Sequence, residues 1–174
     1  AERFSAVADI LQQQQQPQTL WVVVSAPGDT TDALLAIIAA EDTAARQAAL
    51  ATLQSQLNVL VKQTLASDAA TLATEQLTHW LAAVPDALAK QQPNDVLAIG
   101  ERLSALLLSE VLKQRGLDAV ALDARDFLRL KQHQPDWTAS AALLSGLTQA
   151  GRIHVVTGYI ARDDKGRSIT LGRN

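Results

Sequence analysis

Phe4, Val7, Ala8 and Leu11 recur at intervals of three and four, which predicts a helix over residues 1–15. Pro17 is expected to end it, after the glutamine run 12–16, read as a solvated helix end. Residues 19–25 (TLWVVVS) break that period. They form a short, β-branched apolar run, too brief for a buried helix, and predict an interior strand of a parallel sheet. Pro27-Gly28-Asp29 then turns the chain into a helix from about Thr30. Residues 43–90 are rich in Ala, Leu and Gln and helical in pattern, with breaks near Ser67-Asp68 and Pro85 and no fixed-period repeat.

The strongest helix signal comes next. Pro93-Asn94-Asp95 predicts a cap, Val96, Ile99, Leu103, Leu106 and Leu107 a buried stripe, and Gly116 a stop behind Lys113 and Arg115. A second strand is expected at 119–122, a capped helix after Arg125-Asp126, and another helix over about 138–150 closed by Gly151. Residues 153–160 (IHVVTGYI) predict a third strand, and 168–171 pair back across the turn 163–166 as a hairpin. Strands and helices that alternate in this way imply an α/β fold: a mainly parallel sheet with helices on its faces, and a β-hairpin near the C-terminal end.

Composition narrows the chemistry. Across 174 residues, 48% are apolar and 3% aromatic, enough for one domain with a core built on Ala, Leu and Val. A formal charge of −3 leaves no basic footprint for nucleic acid. There is no apolar run of membrane-spanning length and no signal-peptide pattern, so a cytoplasmic location is expected. Without cysteine there is neither a thiolate metal site nor a Cys nucleophile. His79, His133 and His154 lack ligand spacing, and Trp21, Trp80 and Trp137 are expected to be packing residues. The chain has no methionine and stops directly after a strand-like stretch, which leads us to expect an excised piece of a longer domain.

Three segments carry candidate chemistry, because ligand crevices in open α/β sheets lie beyond the carboxyl ends of strands. Residues 25–34 (SAPGDTTDAL) cluster hydroxyls at a helix start, suiting a carboxylate or phosphate, or else serving as ordinary caps. Residues 99–105 (IGERLSA) place Gly100 inside a strong helix, at a cost of about 1 kcal/mol against Ala. Something is expected to approach the backbone there, with Glu101 facing the gap; the alternative is a surface Glu. In residues 158–174, Arg173 follows a glycine at a strand end, where its fork could grip a carboxylate or simply be solvated.

SAPGDTTDALL (25–35), IGERLSALL (99–107) and GYIARDDKGRSITLGRN (158–174), in this order and spacing, resemble the aspartokinases of the amino-acid kinase superfamily. The ending LGRN and residues 122–128 (LDARDFL) look most like the bifunctional aspartokinase–homoserine dehydrogenases of the methionine branch. The resemblance implies an α/β/α amino-acid kinase fold, residues 1–174 forming a single, incomplete domain of that kind. It implies phosphorylation of the L-aspartate side-chain carboxylate in a homo-oligomeric parent that uses ATP and Mg2+. Glu101 would hold the substrate ammonium, Arg173 a carboxylate, and Thr31 would hydrogen-bond the substrate. Tyr159, where the family commonly has Phe, would line the pocket with Ser25, Gly100 and Gly172. No catalytic group is implied within the chain. The family's Lys-Phe-Gly-Gly strand and its Gly-Ser-Asp continuation have no match, so residues 1–174 alone are expected to be inactive. Asp32 stands where Asn is common. Two alternatives remain open: a glutamate or nucleotide kinase of the same superfamily, and a non-catalytic α/β interaction module using residues 43–90.

Overall fold

The structure is a computed structural model that describes residues 1–14 and 19–172. Its centre is a helix. Pro93–Gln114 (α6 in chain order) is buried on most of its circumference, where the sequence predicts a single stripe. Leu103, Leu107, Leu108 and Leu112 are each at most 1% exposed. Burying one such leucine contributes roughly 1.5–3 kcal/mol, which explains why this helix organises everything packed around it.

Five helices pack around it, Glu2–Gln13 (α1), Thr30–Ala39 (α2), Thr43–Thr64 (α3), Ser67–Ala82 (α4) and Val84–Ala89 (α5), and a further helix, Trp137–Ser145 (α7), follows later in the chain. Their breaks have local causes. The Asp42 carboxylate caps α3 by accepting from Ala45 N at 2.7 Å. Pro85 enters the first turn of α5, where a missing N–H costs nothing. Gly116, at φ 77°, ends α6 in the left-handed region that glycine tolerates. The glutamine run lies partly outside the described residues; Gln12 and Gln13 continue α1.

Strands Leu20–Val24 (β1), Ala119–Leu122 (β2) and Ile153–Thr157 (β5) form a parallel sheet in the order β1-β5-β2, flanked by helices. The register pairs Val22 with Val155 and Ala121 with Val155. Two short antiparallel pairs complete the strands: Leu130–Lys131 (β3) with Gln134–Pro135 (β4), and Ile160–Arg162 (β6) with Ser168–Thr170 (β7).

The structure corrects several expectations. The sequence pattern puts β1 inside the sheet; among the described residues it pairs with β5 alone, and Val23 is 70% exposed. Residues 153–160 are not one strand. The chain leaves the parallel sheet after Thr157 and begins the hairpin at Ile160, because Gly158 and Tyr159 make a tight turn between them. No α-helix follows Arg125-Asp126. A 3₁₀ turn, Ala124–Asp126, stands there instead, its backbone held by the Asp123 carboxylate and by Thr157, whose Oγ1 accepts from Ala124 N at 2.7 Å. The next helix, α7, ends at Ser145, before Gly151. Trp137 is 72% exposed rather than packed, and Trp21, 40% exposed, stacks on the buried His154 ring at 4.4 Å.

Candidate active site

The carboxyl ends of β1 and β5 lie side by side, and the segments leaving them form the walls of a cleft of about 430 Å³. After β1 come Ser25, Ala26, Gly28 and Asp29, then Thr31 and Asp32 in the first turn of α2. After β5 comes Tyr159. Glu101 enters from α6, and Gly172 from the segment behind β7.

Each residue has a local reason for its place. No side chain caps α2; Thr30, buried, turns its hydroxyl to Pro27 O and closes the 27–30 turn. Thr31 is therefore left to line the cleft rather than to cap the helix. Gly100 is the point of closest approach between α6 and the loop after β1, for a Cβ there would lie 2.6 Å from Ala26 Cβ and 3.3 Å from Thr30 Cγ2. That contact accounts for a glycine inside the best helix of the chain, and it sets Glu101 beside the loop. Glu101 is 1% exposed, which rules out the surface reading.

Tyr159 has φ 64°, uncommon for a bulky residue. Ile160 N donates to Gly158 O at 2.7 Å across it, closing a three-residue turn of the rare, strained positive-φ kind. The turn is anchored twice, by Gly158 N donating to Val24 O at 2.7 Å and by Leu171 N donating to Tyr159 O at 2.8 Å. The second bond draws the segment leading to Gly172 against the Tyr159 turn. A positive φ at a non-glycine residue is invisible in sequence, so no signal pointed to this feature.

Of the residues expected at the site, Ser25, Thr31, Glu101, Tyr159 and Gly172 line the one cleft, and Gly100 packs behind it. Arg173 lies outside the described residues. Gly28, Asp29 and Asp32 belong to the lining as well; membership of the segment 25–34 pointed to the first two, and Asp32 also stood out where the family commonly has Asn.

Outside the cleft lining, Arg125 follows β2 with its side chain 9% exposed, near Asp95, Ile99 and Arg102. Its Nε and Nη2 fork onto Asp123 at 3.0 and 2.6 Å, and Nη1 reaches Asp95 at 2.7 Å. Burial alone would raise the Asp123 carboxyl, but the hydrogen bonds and charge of Arg125, aided by Arg102, hold it below the ordinary carboxylate range. Burial would likewise lower Arg125; the hydrogen bond and charge of Asp123, with Asp95 and Asp126, outweigh it and raise the guanidinium. Arg102 lies over the Trp80 ring at 4.1 Å, a cation–π contact, and within 3.5 Å of Asp123.

The sequence pattern of the amino acid kinase family matches residues 1–174. The chain belongs to that family. The chain is 34% identical over 182 residues to bifunctional aspartokinase/homoserine dehydrogenase 2 of Escherichia coli (strain K12), a match covering 98% of the chain and 22% of that protein. E. coli aspartokinase III in complex with lysine and aspartate superposes with a TM-score of 0.82 at 23% identity, over 99% of the chain and 41% of its own. The same enzyme in complex with aspartate and ADP gives 0.76 at 24% identity, over 99% and 40%. At those identities the superpositions establish the fold. The chain thus spans about a fifth of the bifunctional relative and about two-fifths of the solved chains.

Among the described residues, no lysine or arginine lines this cleft, while Asp29, Asp32 and Glu101 do. No described group of three His, Asp or Glu is arranged to hold a metal. This lining does not fit nucleotide phosphates with Mg2+, and no step of phosphoryl transfer is assigned to it. No helix of the described residues is long and apolar enough to cross a membrane.

Proposed function

We propose that the cleft is the aspartate-binding part of an aspartate kinase, which phosphorylates the side-chain carboxylate of L-aspartate at the expense of ATP. The observation that carries this reading is the convergence of three segments far apart in sequence, at 25–32, 101 and 159–172, on one cleft at strand carboxyl ends. Open parallel sheets bind small ligands there. The buried Glu101 carboxylate takes the substrate ammonium, since a charge held away from water attracts its counter-charge far more strongly than an exposed one. Thr31 hydrogen-bonds the substrate, Tyr159 and Ser25 wall it in, and Gly100 and Gly172 let backbone approach. Arg173, next to Gly172, pairs with a substrate carboxylate.

The reacting carboxylate is ionised at neutral pH and needs no strong base, so the contribution of these residues is orientation. Residues 1–174 act as one unit in this reading, within a homo-oligomeric cytoplasmic enzyme. ATP and its Mg2+ are held by groups other than the described lining.

The test is Glu101→Gln in the intact protein. Removing one charge from a desolvated pair costs about 2–5 kcal/mol, so aspartate kcat/KM should fall by a factor of about 30 or more, with the ATP KM within about twofold. Unchanged aspartate kinetics would sink the assignment. Protection by glutamate or UMP in place of aspartate would favour the glutamate or nucleotide kinase reading.

A further inference from the structure

Asn94 and Asp95 stand at the start of α6, where the sequence predicts helix caps, yet the helix has no side-chain cap. Both side chains are turned elsewhere. Asn94 Nδ2 donates to Ser168 O at 3.0 Å, and Asp95 accepts from Ser168 Oγ and from Arg125 Nη1. Arg125 Nη1 also lies 3.2 Å from Ser168 Oγ, while the rest of its fork holds Asp123 at the end of β2. The Arg125 carbonyl accepts from Arg162 Nε of β6 at 3.2 Å. One residue therefore joins three elements: the start of α6, the exit of β2 and both strands of the β6–β7 hairpin.

The consequence falls on the cleft. Glu101 stands six residues along α6 from Asp95, about 9 Å of rigid helix. Ser168 leads through β7 to Leu171, whose N–H is bonded to the Tyr159 carbonyl, and to Gly172. The hairpin itself is two strands of three residues; its buried Ile160 packs with Ala98 of α6 and Arg162 bridges to Arg129, but β7 has no strand partner other than β6 among the described residues. Its position against α6 depends on what ties it there. Going without a side-chain cap, typically worth about 1 kcal/mol, is a local cost that the tie explains.

We propose that Arg125 is a positioning residue of the cleft: it locks the β6–β7 hairpin to α6 and so fixes Tyr159 and Gly172 relative to Glu101 for an amino dicarboxylate. This rests on the cleft being the aspartate site of a kinase. The planar fork is essential, because it serves Asp123 with one edge and Asp95 and Ser168 with the other; a lysine ammonium keeps the charge but cannot span both.

The experiment is steady-state kinetics on the intact protein with Arg125→Lys, Ser168→Ala and Glu101→Gln, varying aspartate and ATP separately. Arg125→Lys should raise the aspartate KM by about 10- to 100-fold, as a misplacement near 1 Å can, with the ATP KM within about twofold. Ser168→Ala should shift it in the same direction by less. A fall in kcat with both KM values unchanged is the mark of a lost active fraction and overturns the proposal. So does an unchanged aspartate KM in Arg125→Lys when Glu101→Gln is impaired. If Glu101→Gln is itself normal, the cleft reading fails, and the positioning role with it. Should Arg125→Lys not fold, Ser168→Ala, which removes one strut at a partly exposed position, decides: an unchanged aspartate KM there overturns the proposal.

Discussion

Gly100 and Ala26 touch so closely that a Cβ on the glycine would stand 2.6 Å from the alanine Cβ. In an exposed helix, Gly→Ala would gain about 1 kcal/mol. Here the added methyl must push away the loop that lines the cleft, and overpacking of this kind costs about 1–3 kcal/mol. Gly100→Ala should therefore lower the unfolding free energy measured in urea, and adding Ala26→Gly should restore most of the loss. A Gly100→Ala protein more stable than the parent would mean that the loop yields freely and that the contact does not position Glu101.

Tyr159 can be tested through its backbone. Its positive φ is a strain of about 1–3 kcal/mol for a side-chain-bearing residue, and glycine relieves it. Tyr159→Gly should be more stable than Tyr159→Ala by about 1 kcal/mol in urea unfolding, although both lose the ring. Tyr159→Phe, which keeps ring and backbone, should stay within about 0.5 kcal/mol of the parent. Equal stability of the Gly and Ala variants would show that the turn carries no strain.

The two adjacent threonines should separate cleanly. Thr30 is buried and bonded to Pro27 O, so Thr30→Ala should destabilise the fold by about 1 kcal/mol. Thr31 lines the cleft without capping α2. Thr31→Ala should leave stability nearly unchanged and weaken aspartate binding by about 1 kcal/mol, roughly fivefold, read by calorimetric titration of the intact protein. Reversed effects would exchange their roles.

Acid should act through Asp123. Its folded carboxyl is held below the ordinary range by the Arg125 fork, whereas the unfolded group titrates near about 3.9. A carboxyl depressed in this way adds stability above the unfolded value and loses it as pH falls through the folded one. The stability advantage of the parent over Asp123→Asn should be full at about pH 7, shrink below about pH 4, and vanish once the folded carboxyl is protonated. Unfolding free energies of the two proteins across that range check this. An advantage independent of pH would assign the effect to packing rather than charge.

The elements legible in the sequence are those whose signal is local. The α3–α5 breaks, the Gly116 stop and the three parallel strands come from apolar period, proline and glycine, each acting within a few residues. The segments 25–34 and 99–105 are visible for the same reason, Gly100 most plainly, because a helix-weakening residue in a strong helix needs a cause. Where sequence and structure part, a distant partner has intervened. Asn94 and Asp95 look like caps until Ser168, more than 70 positions away, takes them. The stretch after Arg125-Asp126 looks helical until Thr157 and the Asp123 carboxylate hold the chain in a 3₁₀ turn there.

By itself, then, the sequence determined an α/β chain with a parallel sheet and the short segments that could carry an amino-acid kinase cleft. Period, propensity and turn chemistry are properties of neighbouring residues. Only the tertiary structure decided that Thr31, Glu101 and Tyr159 share one cleft, that Glu101 is buried, that Tyr159 is held at positive φ, and that Arg125 ties the hairpin to α6. Those outcomes depend on contacts between residues tens of positions apart, made only when the core around α6 has closed.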